Sequence, residues 1–208
     1  RIKLLQNTES RSIPMVKGGN TFFSWRKKDE EIGSVYFTKK GSRKSSILIN
    51  SELTFKRDGY ILEDWTPSKD GTKLAYSLSK SGNDKFSIFV LDVKARKMLK
   101  DRIPEDIYPI FMCWNTAGDG FWYIRSKPKS PKSEKKLNIK IYFHKIGDDF
   151  KKDLYFFGED FEKTDCPVMN ISEDGKHLII SVYNYSKEKE TSRIFLGQTD
   201  DKGENIVE

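Results

Sequence analysis

The feature that most constrains this chain is a polar turn, usually closed by Asp-Gly, that recurs about every fifty residues. In the clearest copy, residues 65–76 (WTPSKDGTKLAY), a strand end leads through the turn into an apolar strand. The same order returns at residues 113–123 and 170–180, with a degenerate first copy at 16–23. Intervals of 52, 47 and 57 residues separate the marker glycines, which are Gly19, Gly71, Gly118 and Gly175. A tight hairpin needs a residue at positive φ, which glycine tolerates, and an Asp side chain can bond the turn backbone.

Each turn is followed by further strand-like runs, which complete a repeating unit of four strands. We predict third strands at residues 34–38, 86–92, 140–147 and 193–197, and fourth strands at residues 46–49, 97–99, 153–157 and 204–207. A β-sandwich does not impose such a period on its turns, whereas four-stranded propeller blades do. We therefore predict an all-β chain that forms a β-propeller of about four blades. The spacing alone is compatible both with a closed four-bladed ring and with part of a larger one.

Composition favours a folded, strand-rich chain and argues against two classes of partner. Hydrophobic residues make up 36% and aromatic residues 13%, and Phe and Tyr cluster in short apolar runs. The net charge of +7 comes from basic residues interleaved with acidic ones, so we expect no nucleic-acid partner. No run approaches the roughly 18 apolar residues that a membrane span needs, and we expect no membrane partner.

The two cysteines indicate the redox environment. Cys113 and Cys166 each lie in an apolar run, a pattern typical of buried free thiols in a reducing compartment rather than of a disulfide framework. The sequence therefore predicts a cytoplasmic location.

Catalytic and cofactor motifs are missing from the sequence. No Gly-x-Ser-x-Gly string marks a serine nucleophile, and the only histidines, His144 and His177, lie within strand-like runs, where a structural or surface role is the expectation. The cysteines and histidines show no metal-ligand spacing, and phosphate-binding glycine loops are absent. We predict no catalytic residue, metal site or cofactor in this chain. The tryptophans beside the turns are interpreted as repeated core packing rather than as a ligand platform.

The order of these motifs resembles the early blades of the prolyl oligopeptidase family. Residues 59–84 (GYILEDWTPSKDGTKLAYSLSKSGND) contain that family's sequence of strand, Ser-x-Asp-Gly turn, Ala-Tyr strand and Ser-x-Ser-Gly-x-Asp. The next unit is similar too, with Cys113-Trp114, then residues 121–123 (FWY), a polar loop and residues 140–147 (KIYFHKIG). The individual turns are common to many propellers, but their order makes the resemblance fairly specific.

The resemblance implies a seven-bladed propeller that caps an α/β-hydrolase domain and admits only short peptides, which are cleaved after proline. This chain would supply the first four blades, at residues 1–56, 57–106, 107–162 and 163–208, while the hydrolase domain and all three catalytic residues lie outside it. Short peptides would then be bound through the missing domain. By the same resemblance Phe161, in the linker before the fourth unit, is a candidate substrate-binding residue.

Three further expectations remain from the sequence. The alternative to a peptidase propeller is a non-enzymatic propeller scaffold that binds proteins through its rim loops. A four-blade arc would also leave sheet faces uncovered at its two ends, so we expect the isolated chain to self-associate. The Lys/Pro/Ser-rich segment 127–136 is interpreted as a solvated surface insertion.

Overall fold

The computed structural model describes residues 8–80, 85–105, 110–126, 137–184, 191–199 and 206–207. In these residues seventeen strands form four antiparallel sheets. The strands follow in chain order in the second, third and fourth sheets, whereas in the first sheet two short strands share one neighbour. The first sheet contains β1 (Ser10–Arg11), β2 (Met15–Lys17), β3 (Asn20–Arg26), β4 (Ser34–Thr38) and β5 (Ser45–Ile49). The second contains β6 (Tyr60–Pro67), β7 (Lys73–Lys80), β8 (Phe86–Asp92) and β9 (Lys97–Ile103). The third contains β10 (Ile110–Trp114), β11 (Gly120–Ser126), β12 (Ile139–Lys145) and β13 (Leu154–Phe157), and the fourth contains β14 (Asp165–Ile171), β15 (His177–Asn184), β16 (Thr191–Gln198) and β17 (Ile206–Val207).

This arrangement confirms the predicted all-β propeller. The first strand of the third sheet, β10, lies beside the first strands of the second and fourth sheets, so the sheets are arranged around their first strands. The predicted surface insertion at 127–136 lies outside the described residues. Of the last predicted strand, 204–207, the structure describes two residues, and they form β17.

The four marker glycines all adopt positive φ, between 68° and 78°, which confirms the turn prediction. Two of them also permit a close approach between neighbouring sheets. A Cβ atom on Gly71 would collide with the carbonyl oxygen of Lys17 in the first sheet, and one on Gly175 would collide with the Thr116 hydroxyl of the third. The turns therefore need glycine for packing between the sheets as well as for backbone conformation.

The first sheet departs from the four-stranded expectation because its edge strand is broken in two. β1 and β2 both pair with β3, with Arg11 opposite Trp25 and Met15 opposite Phe22. Pro14 lies in the break between them. Proline has no N–H to donate to the neighbouring strand, so the pairing is interrupted there.

An α-helix, α1 (Ser51–Asp58), connects the first and second sheets and was not anticipated from the sequence. Oδ1 of Asn50 accepts a hydrogen bond from the Leu53 amide at 2.9 Å, and Gly59 ends the helix in the left-handed conformation. An ion pair of 2.7 Å between Glu52 and Lys56 adds support along the helix. Among the described residues, no helix has the length and apolar character needed to cross a membrane.

The core consists of three apolar layers, each between two successive sheets. The layer between the first and second sheets contains Phe22, Val35, Leu74, Tyr76, Leu91 and Val93. The next layer is centred on Ala75, Ile88, Val90, Trp114, Phe121 and Tyr123, and the last on Trp122, Ile141, Phe161, Ile180, Val182 and Phe195. Trp114 and Trp122 are buried, as predicted for core tryptophans, while Trp25 and Trp65 are half-buried.

The antiparallel strand order gives the propeller two distinct ends. The first strand of each sheet begins, and the fourth strand ends, at the end that also carries the linkers between sheets; we call this the linker face. The Asp-Gly turns lie at the opposite end, which we call the turn face. Phe161 lies in the segment 158–164, which connects β13 to β14 across the linker face.

Candidate functional site

The linker between the third and fourth sheets buries the one residue that the sequence predicts to contact substrate. Phe161 is 7% exposed, and its ring centroid lies 5.5 Å from that of Phe157 and 6.2 Å from that of Phe195. The Phe161 amide donates a 3.0 Å hydrogen bond to the Gly158 carbonyl, which closes a turn in the linker. A side chain at Gly158, where φ is 109°, would collide with the Phe161 ring. The linker is thus shaped around this ring.

A buried lysine fixes the conformation of the same linker. The Lys140 ammonium group donates to the backbone carbonyls of Gly158, Glu159 and Phe161, the last at 3.1 Å. It also lies 5.5 Å from the centroid of the Phe161 ring. Three carbonyl acceptors satisfy the three donors of an ammonium group, so Lys140 holds the linker against the edge of the third sheet.

Asp165 ties the end of the linker to the fourth sheet. The buried carboxylate accepts a hydrogen bond from the Glu162 amide at 2.8 Å and from the Asn184 amide group at 2.8 Å. It also forms an ion pair with Arg193, whose guanidinium carbon lies 5.8 Å from the Phe161 ring centroid. The hydrogen-bonding capacity of the carboxylate is therefore used by three elements that surround the linker.

A second buried cation, Arg125, lies close to this linker. It occupies the linker-face end of β11 directly opposite Lys140 in the strand register. Its side chain is 5% exposed, and its guanidinium carbon lies 3.8 Å from the centroid of the Tyr142 ring and 5.7 Å from that of Tyr123. Burial raises the pKa of Tyr142, and the adjacent guanidinium opposes that rise. Two cationic side chains, Arg125 and Lys140, thus lie side by side at the linker-face end of the third sheet.

Sequence reasoning missed Lys140, Arg125 and Asp165. The available signal was a charged residue inside an otherwise apolar strand, as in the run FWYIRS at 121–126. Such residues are rarely buried without a specific partner.

The turn face holds a cavity of about 230 Å³, formed where the first strands and their turns converge. All four sheets contribute, with Lys17, Lys69, Cys113, Thr116, Met169 and Glu173 among the lining residues. Burial raises the pKa of the Cys113 thiol to about 12, so the thiol stays protonated at neutral pH and is a poor nucleophile. Cys113 and Cys166 are both free, as the sequence predicted.

Neither histidine is placed as a catalytic base. His144 is buried, and its two ring nitrogens lie against the carboxylates of Asp101, at 3.2 Å, and Asp153. Because both nitrogens are already engaged, none is free to take a proton from a nucleophile. His177 is half-buried at the start of β15. In the part of the chain that the structure describes, no group of three His, Cys, Asp or Glu side chains is arranged to hold a metal ion.

Comparison with known sequences identifies relatives that are peptidases. The model of the prolyl oligopeptidase N-terminal β-propeller domain matches residues 1–208. A prolyl endopeptidase from Elizabethkingia miricola is 28% identical over 181 residues, which cover 86% of this chain and 25% of that protein. Protease 2 from Moraxella lacunata is 28% identical over 154 residues, covering 74% of this chain and 21% of that protein. The chain therefore spans about a quarter of the length of these relatives.

Solved structures share the same fold. Prolyl oligopeptidase B from Galerina marginata, solved with a 35mer substrate, superposes with a TM-score of 0.78 at 17% identity, over 97% of this chain and 31% of that one. A structure from a study of two prolyl endopeptidases superposes with a TM-score of 0.74 at 22% identity, over 92% of this chain and 33% of that one. At these identities the likeness establishes the propeller architecture. Taken with the family match along the whole chain, it shows that this chain belongs to the prolyl oligopeptidase family, within that family's N-terminal β-propeller domain.

Proposed function

We propose that this chain is part of the propeller of a serine peptidase that cleaves short peptides after proline. The observation that carries the proposal is the match of the family's propeller model to residues 1–208, in a chain that spans a quarter of its prolyl endopeptidase relatives. The nucleophile, base and acid would then belong to a hydrolase domain elsewhere in a longer parent protein. The propeller would contribute access control and part of the substrate cavity.

The geometry of the sheets supports an assignment of the linker face to the substrate side. A chain that enters a propeller through a first strand and leaves it through a fourth strand does both at the linker face. A hydrolase domain joined to the propeller by short connections would lie against that face. Phe161, Lys140 and Arg125 would then line the space between the two domains, while the turn face would point away from it.

A direct contact between Phe161 and the substrate stays a prediction. The ring is packed between the third and fourth sheets, so its exposed edge is small. Lys140 and Gly158 together hold the linker that presents this edge. We propose that the ring shapes the wall of the peptide cavity next to the hydrolase domain.

The test begins with the native polypeptide. Its intact mass, measured by mass spectrometry, should be about three and a half times that of this chain, because the aligned part is 86% of this chain but 25% of its relative. The purified parent should cleave a fluorogenic peptide after proline and leave intact casein uncut. A matched peptide with lysine in place of proline separates this activity from cleavage after basic residues.

The scaffold alternative makes the opposite predictions. A native polypeptide close to 24.2 kDa that cleaves neither peptide would contradict the peptidase proposal and favour a protein-binding propeller. A parent of full mass that cleaves only the lysine peptide would keep the peptidase class and reject the proline specificity.

We also propose a reducing compartment, the cytoplasm, as the location. The support is that Cys113 and Cys166 are unpaired, the former deep in the core. Thiol labelling of the denatured native protein should modify both cysteines, whereas a protein from an oxidising compartment would show them blocked.

A further inference from the structure

The feature that the proposed function leaves unexplained is the buried guanidinium group of Arg125. Its Nε atom is buried and has no hydrogen-bond partner. Among the residues that the structure describes, no carboxylate forms an ion pair with it. A charge removed from water without a compensating partner is costly, so it indicates a binding site whose anion is supplied from outside the described chain.

The neighbouring lysine, unlike Arg125, has hydrogen-bond partners for its cationic group. Lys140, directly opposite Arg125 in the register, gives its ammonium protons to three backbone carbonyls. Arg125 is therefore the cation at this end of the third sheet whose guanidinium has no carboxylate partner among the described residues.

The orientation of Arg125 narrows the chemistry of that anion. The guanidinium lies 3.8 Å above the Tyr142 ring, and Tyr142 packs edge-on against Tyr155 at 5.9 Å. Stacking on an aromatic ring fixes the guanidinium plane and leaves the donors along its edge. Paired N–H donors in one plane match the two oxygens of a carboxylate.

The location connects this group to the peptide cavity. Arg125 is the penultimate residue of β11, at the linker face, and the lysine opposite it donates a hydrogen bond to the carbonyl oxygen of Phe161 at 3.1 Å. Resting on the proposed peptidase function, we propose that Arg125 is a receptor for a carboxylate of the peptide substrate, supplied by its C-terminus or by an Asp or Glu side chain. The parent enzyme would accordingly prefer peptides that carry a carboxylate beyond the cleaved bond or beside it.

The experiment uses the full-length parent enzyme and four fluorogenic peptides of one proline-containing sequence. The peptides combine a free or amidated C-terminus with a Glu or a Gln side chain. We expect kcat/KM to be roughly tenfold or more higher for a peptide with the recognised carboxylate, the effect expected for a charge-assisted bidentate pair. Arg125→Met should abolish the preference, and Arg125→Lys should retain a part of it.

The matched control is Arg102→Met, which removes an exposed arginine that also lies over an aromatic ring, at 5.5 Å from Phe89. This variant should keep the full preference. The ratio between two peptides is measured within one enzyme preparation, so a lower folded fraction of the Arg125 variants does not alter it. Dependence on the terminal group identifies a C-terminal carboxylate as the ligand, and dependence on Glu over Gln identifies a side chain.

Three results would overturn the assignment. Equal cleavage of all four peptides by the unmodified enzyme would reject carboxylate recognition while leaving the peptidase function intact. If the Arg125→Met enzyme kept the preference, a group other than Arg125 would recognise the substrate carboxylate. The partner of Arg125 would then be an acidic group of the protein itself. A parent that cleaves none of the four peptides would reject the peptidase function, and the inference with it.

Discussion

His144 and Asp153 meet inside the propeller, with Nδ1 of the imidazole 2.7 Å from the carboxylate oxygen. On the other side of the ring, Nε2 faces Asp101 of the second sheet at 3.2 Å. A neutral imidazole donates from one nitrogen only, so hydrogen bonds to both carboxylates require the protonated ring. The imidazolium therefore joins the second and third sheets through charge as well as through apolar contact.

We predict that this contact makes stability depend on pH. Burial alone lowers the pKa of His144, but the hydrogen bonds and charges of Asp153 and Asp101 outweigh it, and the pKa is raised. Tyr123 also faces the cluster and donates to Asp153 at 2.7 Å. A raised pKa in the folded state gives a stabilisation that is complete below the unfolded value of about 6.5 and is lost as the pH rises through the folded value.

The measurement is urea unfolding across that range. The free energy of unfolding should fall as the pH rises above about 6.5, and His144→Gln should remove this slope and cost about 3 kcal/mol at low pH. His177→Gln, at the half-buried histidine, is the control and should keep the slope. An unchanged slope in the His144 variant would contradict a charged imidazole.

Lys140→Met tests the structural role of the ammonium group in the linker. The substitution leaves three carbonyls without their donor, and we expect a loss of about 1–3 kcal/mol in the free energy of unfolding. Lys145→Met, at the exposed end of the same strand, should change stability by less than about 0.5 kcal/mol. Equal effects of the two substitutions in urea unfolding would show that the linker does not depend on Lys140.

Phe161→Leu separates the role of Phe161 in the core from its predicted contact with substrate. Phe195→Leu is the matched control, because Phe195 packs in the same layer with the same 7% exposure but lies in a strand of the fourth sheet. We expect each substitution to cost about 1–2 kcal/mol of stability. In the parent enzyme only the Phe161 variant should raise KM for a proline peptide, and parallel KM changes would contradict the substrate contact.

Gly71→Ala tests the close approach between the first two sheets. The residue has φ of 68°, and an added Cβ would meet the carbonyl of Lys17. Gly41 has φ of 77° with open space around the position of a Cβ, so Gly41→Ala carries the backbone strain without the collision. We expect about 1 kcal/mol of destabilisation for Gly41→Ala and about 2–4 kcal/mol for Gly71→Ala. If the two variants lowered the melting temperature equally, the predicted collision between the first two sheets at Gly71 would be contradicted.

The outer face of the fourth sheet should mediate the predicted self-association of the isolated chain. Ile194 and Leu196 are 72% and 49% exposed on neighbouring positions of one sheet face. Exposed apolar sheet surface favours pairing between chains. Ile194→Lys should shift the light-scattering mass towards the monomer, whereas Met98→Lys, at an exposed position of β9, should not. A monomeric unmodified chain would contradict the expectation.

Most contacts of the candidate site could not be predicted from the sequence, because they join residues that are far apart in the chain. The ammonium of Lys140 bonds carbonyls some twenty positions later, and Asp101 reaches His144 across 43 positions. In the sequence these are isolated charged residues within strands. Only the resemblance singled out Phe161, since a phenylalanine beside other apolar residues has no distinguishing pattern.

The sequence by itself determined the repeating unit, because turn glycines and strand alternation act over a few residues. The positions of Gly71 and Gly175 therefore predicted hairpins that the structure contains. Helix α1 was equally local, capped by Asn50 and Gly59, but its short length concealed it among the strands. Tertiary structure alone decided which buried charges found partners, since burial and pairing depend on how successive sheets pack. For that reason His144 lies between two carboxylates. Arg125, on the same sheet, is buried with no carboxylate partner among the described residues.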